Sequence, residues 1–202
     1  MKHKKTLKDR GFTLLETVVV MGIAAIITGI AVYGFQNIKS STKIRTNTSD
    51  VYGDMLSTQI ASLTKKRMFF IVFGANNYTT YEDTYNAASP TSTEGDGILQ
   101  TAQDANIGTY PKNPYYTIVL TTRNAANTND SVAACDNTIC FDSQGLFSFY
   151  KTSNNLLYGL KAIIHFNFTN LSVAPEYSCI VIEKTRILKG EWISANNVCA
   201  AK

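Results

Sequence analysis

Hydrophobic and polar positions change their pattern near residue 38. Between residues 17 and 38 the run TVVVMGIAAIITGIAVYGFQNI holds no charged side chain. Wound as a helix at about 1.5 Å per residue, it is long enough to cross about 30 Å of hydrocarbon. Beyond it the apolar residues narrow to a stripe, Ile44, Val51, Met55, Ile60 and Leu63, with Lys39, Lys43, Asp50 and Asp54 elsewhere around the axis. That spacing is the mark of an amphipathic helix with one face against a core. No proline occurs before Pro90. The pattern predicts one helix over residues 12–66, roughly 80 Å long. It ends at Lys65-Lys66-Arg67, where cations meet the negative end of the helix dipole.

After Arg67 the period shortens. Residues 68–73 (MFFIVF), 115–122, 139–141, 146–150, 162–168 and 178–184 are rich in β-branched and aromatic side chains and are separated by turn residues, which predicts strands. Ser143-Gln144-Gly145 predicts a tight hairpin between two of them. Residues 74–114, rich in Asn, Thr, Tyr, Asp and Gly, read as an elaborated loop region that could serve as an adhesive or partner surface. A helix followed by antiparallel strands makes an α+β fold, the second half of the helix lying on one face of a C-terminal antiparallel β-sheet. The expected organisation is a leader (1–11), a membrane half of the helix (12–38), an amphipathic half (39–66) and an extracytoplasmic β-rich domain (67–202).

Charge sharpens the picture of the N-terminus. The net charge is +4, and Lys2, Lys4, Lys5, Lys8 and Arg10 against Asp9 account for all of it. From Phe12 onward bases and acids balance, so a pI near 8.8 is no sign of a nucleic-acid surface. Bases ahead of an apolar run put the N-terminus in the cytoplasm and the rest of the chain outside. An ordinary secretory signal is cut after its apolar core. Here the basic leader ends at Gly11, before the core, and no small-x-small site follows it. A lone acid, Glu16, stands at the fifth position after Gly11. A carboxylate costs about 2.5–3.5 kcal/mol at a bilayer centre and less near the interface, so this one calls for a cation. Cutting after Gly11 would make one, the α-amine of Phe12. The alternative is an interfacial carboxylate favoured by the helix dipole.

Gly11-Phe12-Thr13-Leu14-Leu15-Glu16, followed by an uncharged run, closely resembles the leader of type IV prepilins and type II secretion pseudopilins over about residues 8–35. The resemblance implies cleavage between Gly11 and Phe12 by a prepilin peptidase on the cytoplasmic side and N-methylation of Phe12. It implies a role for Glu16 in setting axial register by pairing with the Phe12 amine of a neighbour. It further implies partners: other pilin or pseudopilin subunits, an inner-membrane assembly platform and membrane lipid. The location implied is a single-pass cytoplasmic-membrane protein that enters a surface pilus or periplasmic pseudopilus. Many family members carry a proline midway along the apolar helix; here Gly22, Gly29 and Gly34 are the only weak points. The stretch 139–145 (ICFDSQG) resembles the hairpin of the H-type, FimT-like minor pseudopilins, and CIVIEKTRILKG (179–190) resembles their last strand pair, which favours a minor subunit.

Four cysteines lie in the C-terminal third: Cys135, Cys140, Cys179 and Cys199. An even number outside the membrane segment suits disulfides, with 135–140 and 179–199 the favoured pairing of three possible. A four-thiolate zinc site is the rival, but the paired C-x2-C spacing is missing. No catalytic set is present: no G-x-S-x-G, H-E-x-x-H or P-loop occurs, and His165 reads as a satisfied strand histidine rather than a base. Glu94-Gly95-Asp96-Gly97 bunches hard oxygen ligands without the spacing of an EF-hand, so it reads as a solvated turn, and neither metal nor cofactor is expected. Lys184, Arg186 and Lys189 surround a predicted turn. They are candidates for weak, salt-sensitive DNA contact of the kind some FimT-like proteins make during uptake. Glu183 and Glu191 blunt their field, and a lysine-guarded hairpin edge is the plainer reading. A non-polymerising membrane-anchored domain is the third reading.

Overall fold

A single helix, α1, spans Leu14–Lys65 over 52 residues. The computed structural model describes residues 12–74, 77–90, 95–111, 117–123, 129–130, 137–151, 155–157, 160–167, 175–193 and 198–202. The chain divides into two compact units, Met1–Ser40 and Ser41–Lys202. In the first, the helical stretch Leu14–Val32 has a mean hydropathy of 2.2 and buries none of its side chains. Leu14, Val19, Ile23, Ile27 and Ile30 all point away from any protein partner, as expected of a segment whose solvent is lipid or other helices.

In the second unit the strands are β1 (Phe69–Phe73), β2 (Asn77–Glu82), β3 (Ala105–Pro111), β4 (Thr117–Arg123), β5 (Asn129–Asp130), β6 (Thr138–Phe141), β7 (Phe147–Lys151), β8 (Asn155–Leu157), β9 (Lys161–Asn167), β10 (Cys179–Ile182), β11 (Ile187–Ile193) and β12 (Val198–Ala201). They form two antiparallel sheets, ordered β3-β2-β1-β6-β7-β8 and β12-β11-β10-β9-β4-β5. The α+β class is as expected, but there are two sheets rather than one. One core unites Ile44, Val51 and Met55 of the helix with Ile71, Ile139, Phe147 and Phe149 of the first sheet and Ile164, Phe166, Ile180 and Ile182 of the second. Alternate residues of the same strands make smaller clusters on the far faces: Phe70, Cys140 and Tyr150 on the first sheet, Ile163, Cys179, Val181 and Cys199 on the second. Burial on both faces is why these strands read as unbroken apolar runs.

Two sequence expectations need correction. Residues 74–114 are not all loop, because β2 and β3 lie within them. In β2 (NYTTYE) Tyr78, Thr80 and Glu82 are buried and alternate with more exposed residues. The period of two is carried by polar and aromatic side chains, which composition alone reads as loop. The helix stripe also ends early, for Ile60 and Leu63 are 54% and 41% exposed. The buried face runs instead through Thr48, Thr58, Gln59 and Ser62. Three of these satisfy their hydroxyls on the preceding turn, Thr48 on Ile44 O, Thr58 on Asp54 O and Ser62 on Gln59 O, so they are buried without an orphan donor.

Gln59 acts between hairpins. Its Nε2 donates to Gly145 O at 2.9 Å, in the β6–β7 turn, and also reaches Thr185 O at 3.5 Å, in the β10–β11 turn. Phe147 N donates to Lys184 O at 2.9 Å, joining the two sheets at the same place. The β6–β7 turn is the predicted hairpin. Asp142 Oδ1 accepts from Gln144 N and Leu146 N at 2.8 and 2.9 Å. Gly145 takes a φ of +72°, with Leu63 packed where a Cβ would sit. Gln59→Leu keeps the apolar bulk and leaves these carbonyls unpaired. It should cost about 1–3 kcal/mol in denaturant unfolding of the full chain.

Candidate functional site

The N-terminal segment offers the chemistry singled out in the sequence. Gly11 lies outside the described residues. Phe12 is 79% exposed, and the helix starts two residues later. Thr13 Oγ1 accepts from Glu16 N at 3.2 Å, and Thr17 Oγ1 donates to Leu14 O at 2.8 Å. Thr13 is thus the N-cap, and Glu16 stands at N3, where the T-x-x-E signature of a capping box places an acid. That position gives Glu16 a structural use: a first-turn carboxylate facing the positive end of the helix dipole. Glu16 is exposed, so its carboxylate is open to an external cation as well.

The other candidates are dispersed over the second unit. Cys179 and Cys199 form a disulfide, joining β10 to β12 across β11. Gly190 of β11 lies beneath it, where a Cβ would strike the Ala200 carbonyl and Cys199 Sγ. Cys140 corrects the other expected bridge, since it is a free, buried thiol. Strand β6 turns it into the cluster with Phe70 and Tyr150, where it hydrogen-bonds Ser148 Oγ at 2.9 Å, and burial pushes the thiol up to about 12. Cys135 lies outside the described residues.

His165 corrects a second expectation. Its ring stacks on Trp192 at 3.9 Å between centroids, but Nδ1 is buried with no hydrogen-bond partner. Burial lowers its pKa to about 4, so the ring is neutral, stacked on Trp192.

The basic trio is largely committed within the fold. Arg186 pairs with Glu183, which Lys161 also reaches at 2.7 Å; Arg186 first, then Lys161, holds the Glu183 carboxyl below its usual range. The Lys189 ammonium lies 5.1 and 5.0 Å from the ring centres of Tyr52 and Tyr177, a cation–π arrangement. Lys184 is exposed.

The Gly95-Asp96-Gly97 segment, without Glu94, which is outside the described residues, spends its carboxylate internally. Asp96 accepts from Ala87 N, Ile98 N and the Gln100 amide. Among the described residues no group of three or more His, Cys, Asp or Glu is arranged to hold a metal. An ion-pair cluster around a buried acid, missed in the sequence, sits at the helix end. Glu82, almost sealed from water, binds Lys65 at 2.6 Å and Arg67 at 3.0 Å. Lys66 between them takes a φ of +57° and closes the helix.

No curated protein and no solved structure matches the chain. Residues 6–32 match a family model described as the prokaryotic N-terminal methylation motif. Together with the apolar helix, this fits a membrane-anchored protein whose N-terminal motif belongs to a structural family. The chain carries the signature of the type IV pilins and pseudopilins in its first 32 residues.

Proposed function

We propose that this protein is a minor subunit of a type IV pilus or a type II secretion pseudopilus. Prepilin peptidase cuts it between Gly11 and Phe12 on the cytoplasmic face, Phe12 is methylated, and the subunit enters the filament through its N-terminal helix. The observation that carries the reading is a methylation motif leading straight into an apolar helix none of whose side chains from Leu14 to Val32 is buried. Such a surface is stable in lipid and equally stable packed against other apolar helices, so a subunit can pass from membrane to filament at little cost. In that apolar setting Glu16 and the Phe12 amine of a neighbour set register more than they add raw stability. Assembly would involve sister subunits and the inner-membrane platform. Arg186 and Lys189 are held by Glu183 and two tyrosine rings, which speaks against a DNA-contacting surface there.

Mass spectrometry of the native N-terminus tests the reading. A chain beginning at N-methylated Phe12 is expected. An intact Met1, or a cut after the apolar run, would instead make it a plain anchored domain.

A further inference from the structure

Residues 95–104, which lead into β3, pack on the first sheet through Leu99. Leu99 packs on the Phe70, Cys140 and Tyr150 cluster, and its N–H donates to Tyr150 Oη at 3.1 Å. Two aspartates fasten this segment. Asp104 accepts from Thr84 N, Tyr85 N and Gln100 N, which satisfies both of its oxygens. Asp83 accepts from Gly97 N at 2.8 Å through Oδ2, but its Oδ1 is buried without a partner. The residue is only 3% exposed.

Among the described residues no cation forms an ion pair with Asp83, and Lys66, the nearest lysine not held by Glu82, is exposed to solvent. A cavity of about 540 Å³ adjoins it, lined also by Lys65, Lys66, Arg67 and Asp142. Lys65 and Arg67 are held by Glu82, and Asp142 is engaged by its own turn. Within the segment the charged groups acting on Asp83 are Asp104 and Asp96, both repulsive; Tyr150 of β7 is occupied by Leu99 N. Gly95 is packed against the carboxyl so closely that a side chain there would collide with it. The Oδ1 atom is thus closed off from water although the residue borders the cavity. Burial above all raises the Asp83 pKa to about 6, with the charges of Asp104 and Asp96 adding to it, against the opposing hydrogen bonds from the Gly97 and Asp96 backbones.

We propose that Asp83 is a proton-binding site that fastens residues 95–104 to the first sheet when protonated and loosens them when ionised. This stands independently of the pilin reading. The sign follows from linkage. The fastened state holds the proton more tightly than a solvated carboxyl does, so its extra stability is complete below about pH 4. That stability is lost as the pH rises through about 6.

The experiment uses the full chain in detergent micelles. Asp83 should titrate near pH 6 by carboxyl carbon NMR. Hydrogen-exchange protection of the Gly97 and Leu99 amides, corrected for the intrinsic pH dependence of exchange, should fall about tenfold from pH 5 to pH 7.5. In Asp83→Asn, which keeps an acceptor for Gly97 and cannot ionise, protection should stay constant over that range. A carboxyl that titrates near 4, protection that ignores pH, or the same fall in Asp83→Asn overturns the proposal. If the variant does not fold, the carboxyl titration of the parent chain decides alone.

Discussion

Glu16→Ala is expected to yield a protein that is inserted and processed like the parent but is recovered from sheared filaments at least about tenfold less often. Burying an ammonium in an apolar bundle without its carboxylate costs about 2.5–3.5 kcal/mol, and each 1.4 kcal/mol is a factor of ten in population. The first turn sets up a rival account, since an acid at N3 can serve as a capping-box residue and face the positive end of the helix dipole. Glu16→Gln separates the two. Glutamine serves in a capping box as glutamate does, but carries no charge to pair with the Phe12 amine. If pairing governs assembly, Glu16→Gln fails as badly as Glu16→Ala, while Thr13→Ala, which costs only about 1 kcal/mol of helix stability, assembles nearly normally. Immunoblots of filament and membrane fractions, normalised to processed protein, read the outcome. Normal incorporation of Glu16→Gln would reduce Glu16 to a cap.

The second large effect concerns the C-terminal strand. β12 is the outermost strand of the second sheet, and the Cys179–Cys199 disulfide ties it past β11 to β10 across a sequence separation of 20. Closing a loop of that size stabilises by about 3 kcal/mol in the chain-entropy account. Replacing both cysteines by serine should therefore lower the Tm of the full chain by roughly 6–12 °C, at about 2–4 °C per kcal/mol for a domain of this size. Trp192, the only tryptophan, packs against the same cluster and reports the local change by fluorescence. Reduction should reproduce the loss while Cys140 stays buried and protonated. A Tm shift of under 2 °C would mean that strand pairing alone holds β12.

Legibility in the sequence followed how local each signal is. The helix was readable from end to end because an uncharged run, an amphipathic continuation and a cationic terminus are all local. The β6–β7 hairpin was readable for the same reason, since Asp142 and Gly145 supply its turn chemistry within four residues. β2 and β3 escaped notice because Tyr78, Thr80 and Glu82 are polar by composition and buried only by their place in the sheet. The Cys140 pairing was misread because a C-x4-C spacing says nothing of which way a strand turns its side chains; β6 turns this one into a packed cluster. Lys189 likewise lost its apparent freedom to a partner far off in sequence, Tyr52, while Arg186 is held by Glu183 three residues away.

What the amino-acid order determined alone lies at the N-terminus: five bases within the first ten residues, the solitary Glu16 and an uncharged apolar run of helix length. Those properties depend on neighbours along the chain, so no fold was required to see them. The tertiary structure decided the division of strands into two sheets, the exposure of Ile60 and Leu63, the Gln59 clasp and the buried carboxyl of Asp83. Each of these depends on which distant groups come together and how much water remains between them, and only the packed chain sets that.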